Sequence, residues 1–121
     1  MSGGTIPFKV YLTIIVLLSF WPMPALSHPA GDFYQQAISA IQSKDFQQAD
    51  SLLQQAINEF PAYAEAHHLL GIVLFQRTQD ANKAIPALKQ AVYLNPTFAQ
   101  ARYDLGLLLL KQERGSGESW V

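Results

Sequence analysis

Cysteine is absent from the 121 residues. Its absence excludes a disulfide framework, a cysteine-ligated zinc site, a thiol nucleophile and a lipid-modified N-terminal cysteine. Charge is scarce as well. Only 14% of residues are Asp, Glu, Lys or Arg, and the formal net charge is -1. A nucleic-acid-binding surface needs a clustered basic footprint, and 8 Lys plus Arg against 9 Asp plus Glu do not supply one. Catalytic motifs are missing too. There is no G-x-S-x-G, no phosphate-binding glycine loop and no H-E-x-x-H. Asp50 and Ser51 are neighbours on one helix surface and read as solvated. The sequence therefore offers no catalytic residue and no cofactor site, and the chain reads as a non-enzyme. Its length allows one small domain.

Hydrophobic residues are plentiful, at 50%, and they are unevenly placed. Residues 1–27 carry one charge, Lys9. Val10 to Phe20 reads VYLTIIVLLSF, and Pro22 and Pro24 follow. Ala25-Leu26-Ser27 then puts small residues at the two positions that signal peptidase reads. This is the three-part pattern of a secretory signal peptide, with cleavage between Ser27 and His28. Export to the periplasm or the exterior follows from it. The alternative is an uncleaved membrane anchor over residues 6–26, whose length is nominally enough to span. Two prolines and a short apolar core make that segment a poor span.

The rest of the chain repeats itself. A shift of 35 aligns Asp45 with Asp80, Ala49 with Ala84, Leu53 with Leu88, Ala56 with Ala91 and Pro61 with Pro96. It also aligns Ala66 with Ala101, Leu70-Gly71 with Leu105-Gly106, and Leu74 with Leu109. A fixed period in this range marks a stacked repeat array. Each unit reads as two helices. Asp45 and Gln48 resemble a capping box, and Ala49, Leu53, Ala56 and Ile57 then share one helix face. Pro61 ends that helix and suits the first turn of the next. The pattern predicts helices over 31–43, 46–59, 62–78, 82–94 and 97–112, an all-α fold. Pro86 falls inside the fourth, where it removes a hydrogen bond and bends the helix. Glycine inside a helix costs about 1 kcal/mol against alanine. Its recurrence as Gly71 and Gly106 predicts a contact with no room for a methyl group.

These residues resemble the tetratricopeptide repeat (TPR) family. Phe33, Ala37, Ala49, Leu53, Ala56 and Pro61 fit its pattern, as do Leu70-Gly71, Ala84, Leu88, Ala91 and Pro96, and then Leu105-Gly106. The resemblance implies a helical-hairpin solenoid of about two and a half repeats and five helices. The array covers 28–112, in units 30–63, 64–98 and a partial 99–112, followed by a flexible tail at 113–121. His67, Arg102, Ala40, Leu74 and Leu109 depart from the large aromatics usual at their places. The middle unit has one residue more than the usual length, between Leu74 and Ala84.

The resemblance further implies protein binding on a concave face lined by the first helix of each unit. The positions that carry such contacts are Tyr34, Ile38 and Ile41; His68, Ile72 and Phe75; and Tyr103, Leu107 and Leu110. They would form an apolar, aromatic-lined groove for a peptide or helix, or they would merely fill space between helices. A large exposed apolar patch usually marks an interaction site. The carboxylate clamp of some family members is excluded, because Tyr34, Ile38, Leu69, Gln100 and Asp104 stand where its basic residues and asparagine would.

Other signals are weaker. His67 and His68 are adjacent and point ~100° apart on a helix, so they do not form a metal-ligating pair. After cleavage His28 would be the terminal residue, and an amine plus imidazole can bind copper if a second histidine is near. Ser119-Trp120-Val121 fits the loose C-terminal pattern accepted by PDZ domains. The run Leu107 to Leu110 cannot all face inward, which predicts at least two exposed leucines. It also raises a second reading, self-association through the last helix or docking onto further repeats of a longer scaffold.

Overall fold

The computed structural model describes residues 28–115, folded as five helices. They are α1 (Pro29–Gln42), α2 (Phe46–Glu59), α3 (Ala64–Thr78), α4 (Ala81–Leu94) and α5 (Ala99–Gly115). No strand occurs among the described residues. The signal segment expected at 1–27 and most of the expected tail, 116–121, lie outside them.

The helix starts follow local chemistry. His28 Nδ1 accepts from the Ala30 amide at 3.3 Å, and Pro29 occupies the first helical position, where its missing N–H is not needed. Asp45 Oδ1 accepts from the Gln48 amide at 3.1 Å, and Asp80 Oδ1 from the Asn82 amide at 2.9 Å. The expected capping box at Asp45 is completed on one side only. The Asp45 amide donates instead to the Ala40 carbonyl at 2.8 Å, while the Lys44 amide donates to Ile41 at 2.9 Å. Those two bonds close α1 as a Schellman motif, with Lys44 in the left-handed region at φ 59°. Glycine is usual at such a position.

Pro61 does not start α3. It lies in a turn closed by the Tyr63 amide donating to the Phe60 carbonyl at 3.1 Å, and the helix begins at Ala64. The Pro61 carbonyl, left without a helical partner, accepts from His67 Nε2 at 2.9 Å. Pro96 sits in the matching turn before α5, where Asn95 Oδ1 accepts from the Thr97 amide at 3.2 Å. Pro86 is inside α4, as expected, on its exposed side, and α4 is continuous through it. The α5 helix runs to Gly115, three residues beyond the expected end at 112.

The helices pack in sequence, each against the next. Of the eighteen buried apolar residues among those described, eleven are alanine. Small side chains let the helix axes approach, and the larger buried residues then fill the gaps. Ala37, Ala49, Leu53, Ala56, Ala66 and Val73 form the heart of the first core cluster, between α1, α2 and α3. Ala84, Ile85, Leu88 and Leu108 form a second, between α4 and α5, with Leu74 and Phe75 of α3 packed against it. Gly71 is where α3 meets α4. A Cβ built there would lie 2.7 Å from Leu88 Cγ and 3.3 Å from the Ala84 carbonyl oxygen. Among the described residues, the expected tight contact is present at Gly71 and absent at Gly106, where nothing lies within 4 Å of a built Cβ. The reason is connectivity: α4 packs against the Gly71 side of α3, and no described helix packs against the Gly106 side of α5.

Candidate binding groove

The first helices of the three units, α1, α3 and α5, carry the nine groove positions. On α1, Tyr34 is half-buried, and its ring stacks on Tyr63 with centroids 5.1 Å apart at 29°. Burial raises the Tyr34 phenol above the ordinary tyrosine range, with Tyr63 and then Glu65 adding to the rise. Burial and then Glu65 raise Tyr63 in the same direction. Ile38 and Ile41 are partly exposed, and Ile41 also packs on the first core cluster.

On α3, His68 is committed to the neighbouring helix. Its Nε2 lies 2.7 Å from Asp104 Oδ2 of α5, and its ring meets Phe98 edge-on at 4.9 Å. Gln100 donates to the other Asp104 oxygen at 3.1 Å. This network ties α3 to α5 at the level of the groove. One turn further along, Ile72 and Phe75 are partly exposed, and Lys111 Nζ sits 4.9 Å over the Phe75 ring, within cation–π range.

On α5, the three groove positions are open. Tyr103 is 64% exposed, Leu107 48% and Leu110 55%. Ile72, Phe75 and Leu107 come together in a cleft of about 250 Å³ between α3 and α5, bordered by Gln76, Asp104 and Lys111. Leu107 also borders an adjoining shallow depression that holds Leu110, Lys111 and Arg114. Tyr34 and His68 are engaged by partners within the chain, unlike Tyr103, whose ring projects to solvent. Sequence reasoning missed Tyr63, Asp104 and Lys111. Tyr63 follows Pro61 in a turn, and Asp104 and Lys111 lie 36 residues from His68 and Phe75, one residue off the repeat period, where no local pattern pairs them.

Of the four consecutive leucines, only Leu108 is buried, and Leu107, Leu109 and Leu110 are exposed. That is one more than the minimum required by helix geometry. Among the described residues, no polar or charged side chain is buried. No group of three or more His, Asp or Glu converges there either. His67 and His68 point to Pro61 and Asp104 respectively. No described helix is long and apolar enough to cross a membrane.

Paired helices stacked in order, alanine at each close approach and one glycine under a leucine define a helical-hairpin repeat fold. The tetratricopeptide repeat profile matches residues 34–97 and, in an overlapping second match, 76–117. The chain belongs to the tetratricopeptide repeat family. Among solved structures it is similar to the crystal structure of MamA, with 27% identity and a TM-score of 0.66. That match covers 71% of this chain and 50% of the other. A second MamA crystal structure gives 27% identity and a TM-score of 0.65, over 71% and 46% of the two chains. The chain thus spans about half the length of these structures. No curated protein matches it.

Proposed function

We propose that this chain is a non-enzymatic protein-binding module that seats a peptide or helix of another protein along α1, α3 and α5. The observation that carries the reading is the cleft between α3 and α5. Its apolar floor, Ile72, Phe75 and Leu107, has a polar border of Gln76, Asp104 and Lys111. Leu110 extends the apolar surface beyond it. Burying one leucine stabilises a complex by about 1.5–3 kcal/mol. An amphipathic helix with apolar anchors three residues apart would match Leu107 and Leu110, which have that same spacing. Tyr34, Ile38 and Ile41 would continue the track onto α1, with His68 and Tyr103 at its sides. The His68–Asp104 bond holds the cleft walls in place before a partner arrives.

The test is selection of binders from a random-peptide library on the purified chain. The selected peptides should present paired apolar anchors. Their affinity should fall about 10- to 100-fold with Leu107→Asp, the loss of one buried leucine. The Lys89→Glu control on α4 should bind unchanged. Peptides that bind Leu107→Asp as tightly as the unaltered chain would refute the groove.

The place of action proposed is outside the cytoplasm, on the strength of residues 1–27. The exported form should begin His28-Pro29 on N-terminal sequencing. An intact chain recovered from the membrane fraction would favour the anchor at 6–26 instead.

A further inference from the structure

We propose that the outward face of α5 formed by Arg102, Gly106, Leu109 and Glu113 docks on the same face of a second copy, the two helices crossing antiparallel about a two-fold axis. This face is distinct from the groove. At about 100° per residue, its centre lies roughly 100° round the helix from the stripe of Tyr103, Leu107 and Leu110. The inference goes beyond the groove reading and does not depend on it.

The first observation is the contrast between two equivalent glycines. Gly71 admits the Leu88 side chain to the α3 backbone, with Leu88 Cγ 2.7 Å from where a Cβ would stand. Gly106 occupies the same place one repeat later and has nothing within 4 Å among the described residues. A helix-interior glycine weakens a helix relative to alanine, and among the described residues nothing at Gly106 offsets that. Leu109, one turn along the same face, is 36% exposed, whereas its counterpart Leu74 packs against the second core cluster. Among the described residues, the hole at Gly106 is unfilled and Leu109 is not buried.

The second observation is that the face complements itself. A two-fold axis crossing this face midway between Gly106 and Leu109 sets each residue of an antiparallel pair opposite its mirror position. Gly106 then faces Leu109 of the second copy, so each leucine enters the other chain's glycine gap, as Leu88 does at Gly71. Arg102 faces the second copy's Glu113, and the relation repeats on the other side of the axis. The Glu113 carboxylate has several acceptor sites, so it can take this guanidinium in addition to contacts in its own chain. An isologous interface requires that kind of matching. One helix per copy buries less than the ~1,200–2,000 Å² of a standard interface, so the dimer is weak, with Kd on the order of micromolar.

The test is sedimentation equilibrium of the full chain over a range of concentrations, with four variants. The unaltered chain should dimerise reversibly. Arg102→Glu and Glu113→Arg should each weaken the dimer about tenfold, since each places like charges at two symmetric points. The double variant Arg102→Glu/Glu113→Arg should restore it. Gly106→Leu should abolish the dimer while leaving the helical circular dichroism intact and still binding groove-selected peptides. A monomer at every concentration would overturn the proposal, as expected if another helix or protein covers this face. So would association unchanged by the charge variants, which would place the contact elsewhere, residues 1–27 included. Failure of the double variant to recover would overturn the register.

Discussion

Replacing Gly71 and Gly106 by alanine, one at a time, should move stability in unequal amounts and, in the expected range, in opposite directions. Both sites lie inside helices, so both gain about 0.8–1.0 kcal/mol of helix propensity. That gain is common and cancels in the comparison. What remains is the contact. At Gly71 the new methyl would stand 2.7 Å from Leu88 Cγ, 3.0 Å from its Cδ2 and 3.3 Å from the Ala84 carbonyl oxygen. Comfortable carbon contacts are about 3.5–4.0 Å, so Leu88 must retreat by about 1 Å. Leu88 is fully buried and lies among Ala84 and Ile85, which leaves it little space to enter. Overpacking of this kind costs about 1–3 kcal/mol. At Gly106 the methyl meets nothing within 4 Å among the described residues, so that variant keeps the whole propensity gain. Gly106→Ala should therefore be the more stable of the two by about 1–3 kcal/mol, or roughly 4–24 °C in Tm for a domain of this size. Urea unfolding followed by circular dichroism, at concentrations where the chain is monomeric, measures the difference. Equal shifts at the two positions would refute the claim that α4 presses on α3 at Gly71 while α5 is bare at Gly106.

Three further outcomes follow from the geometry. Lys44→Gly should stabilise the chain by about 1 kcal/mol, because glycine relieves the left-handed strain at the end of α1; thermal unfolding below the wild-type midpoint would contradict it. Asp45→Ala should cost about 1 kcal/mol through loss of the bond to the Gln48 amide, and an unchanged midpoint would show that the cap is not formed in solution. The raised Tyr34 and Tyr63 phenols give stability an alkaline limit. Below pH 10, the ordinary tyrosine value, both are protonated whether folded or not; above it the unfolded chain ionises first. Stability should fall as pH rises from about 10 through the raised folded values. The double variant Tyr34→Phe/Tyr63→Phe should flatten the fall, and the same slope in both chains would refute the burial of these rings.

The identity of the elements was legible in the residues because it depends on neighbours in sequence. Asp45 and Asp80 cap their helices through amides two and three residues away. The alanines at 49, 56, 84 and 91 mark a buried face by helical spacing alone. The period of 35 specifies a stacked array, since a helix pair that cannot bury its apolar face alone must meet the next. Pro61 was misplaced by two residues. Proline is compatible with both a turn and a first helical turn, and the decision went to the Tyr63–Phe60 bond and to His67, which holds the Pro61 carbonyl.

By itself, then, the sequence determined the all-α class, the five helices, the repeat order and the small residues at each helix contact. Those properties follow from local spacing and capping, which act within a few residues. Only the tertiary structure decided which apolar residues are spent and which are free. Tyr34 is taken by Tyr63, and His68 by Asp104 and Phe98, while Tyr103, Leu107 and Leu110 stay open. Among the described residues, two glycines in the same sequence context came out as a filled gap and an empty one. The physical reason is that exposure depends on what packs against a face, and that is set by the helix beyond it.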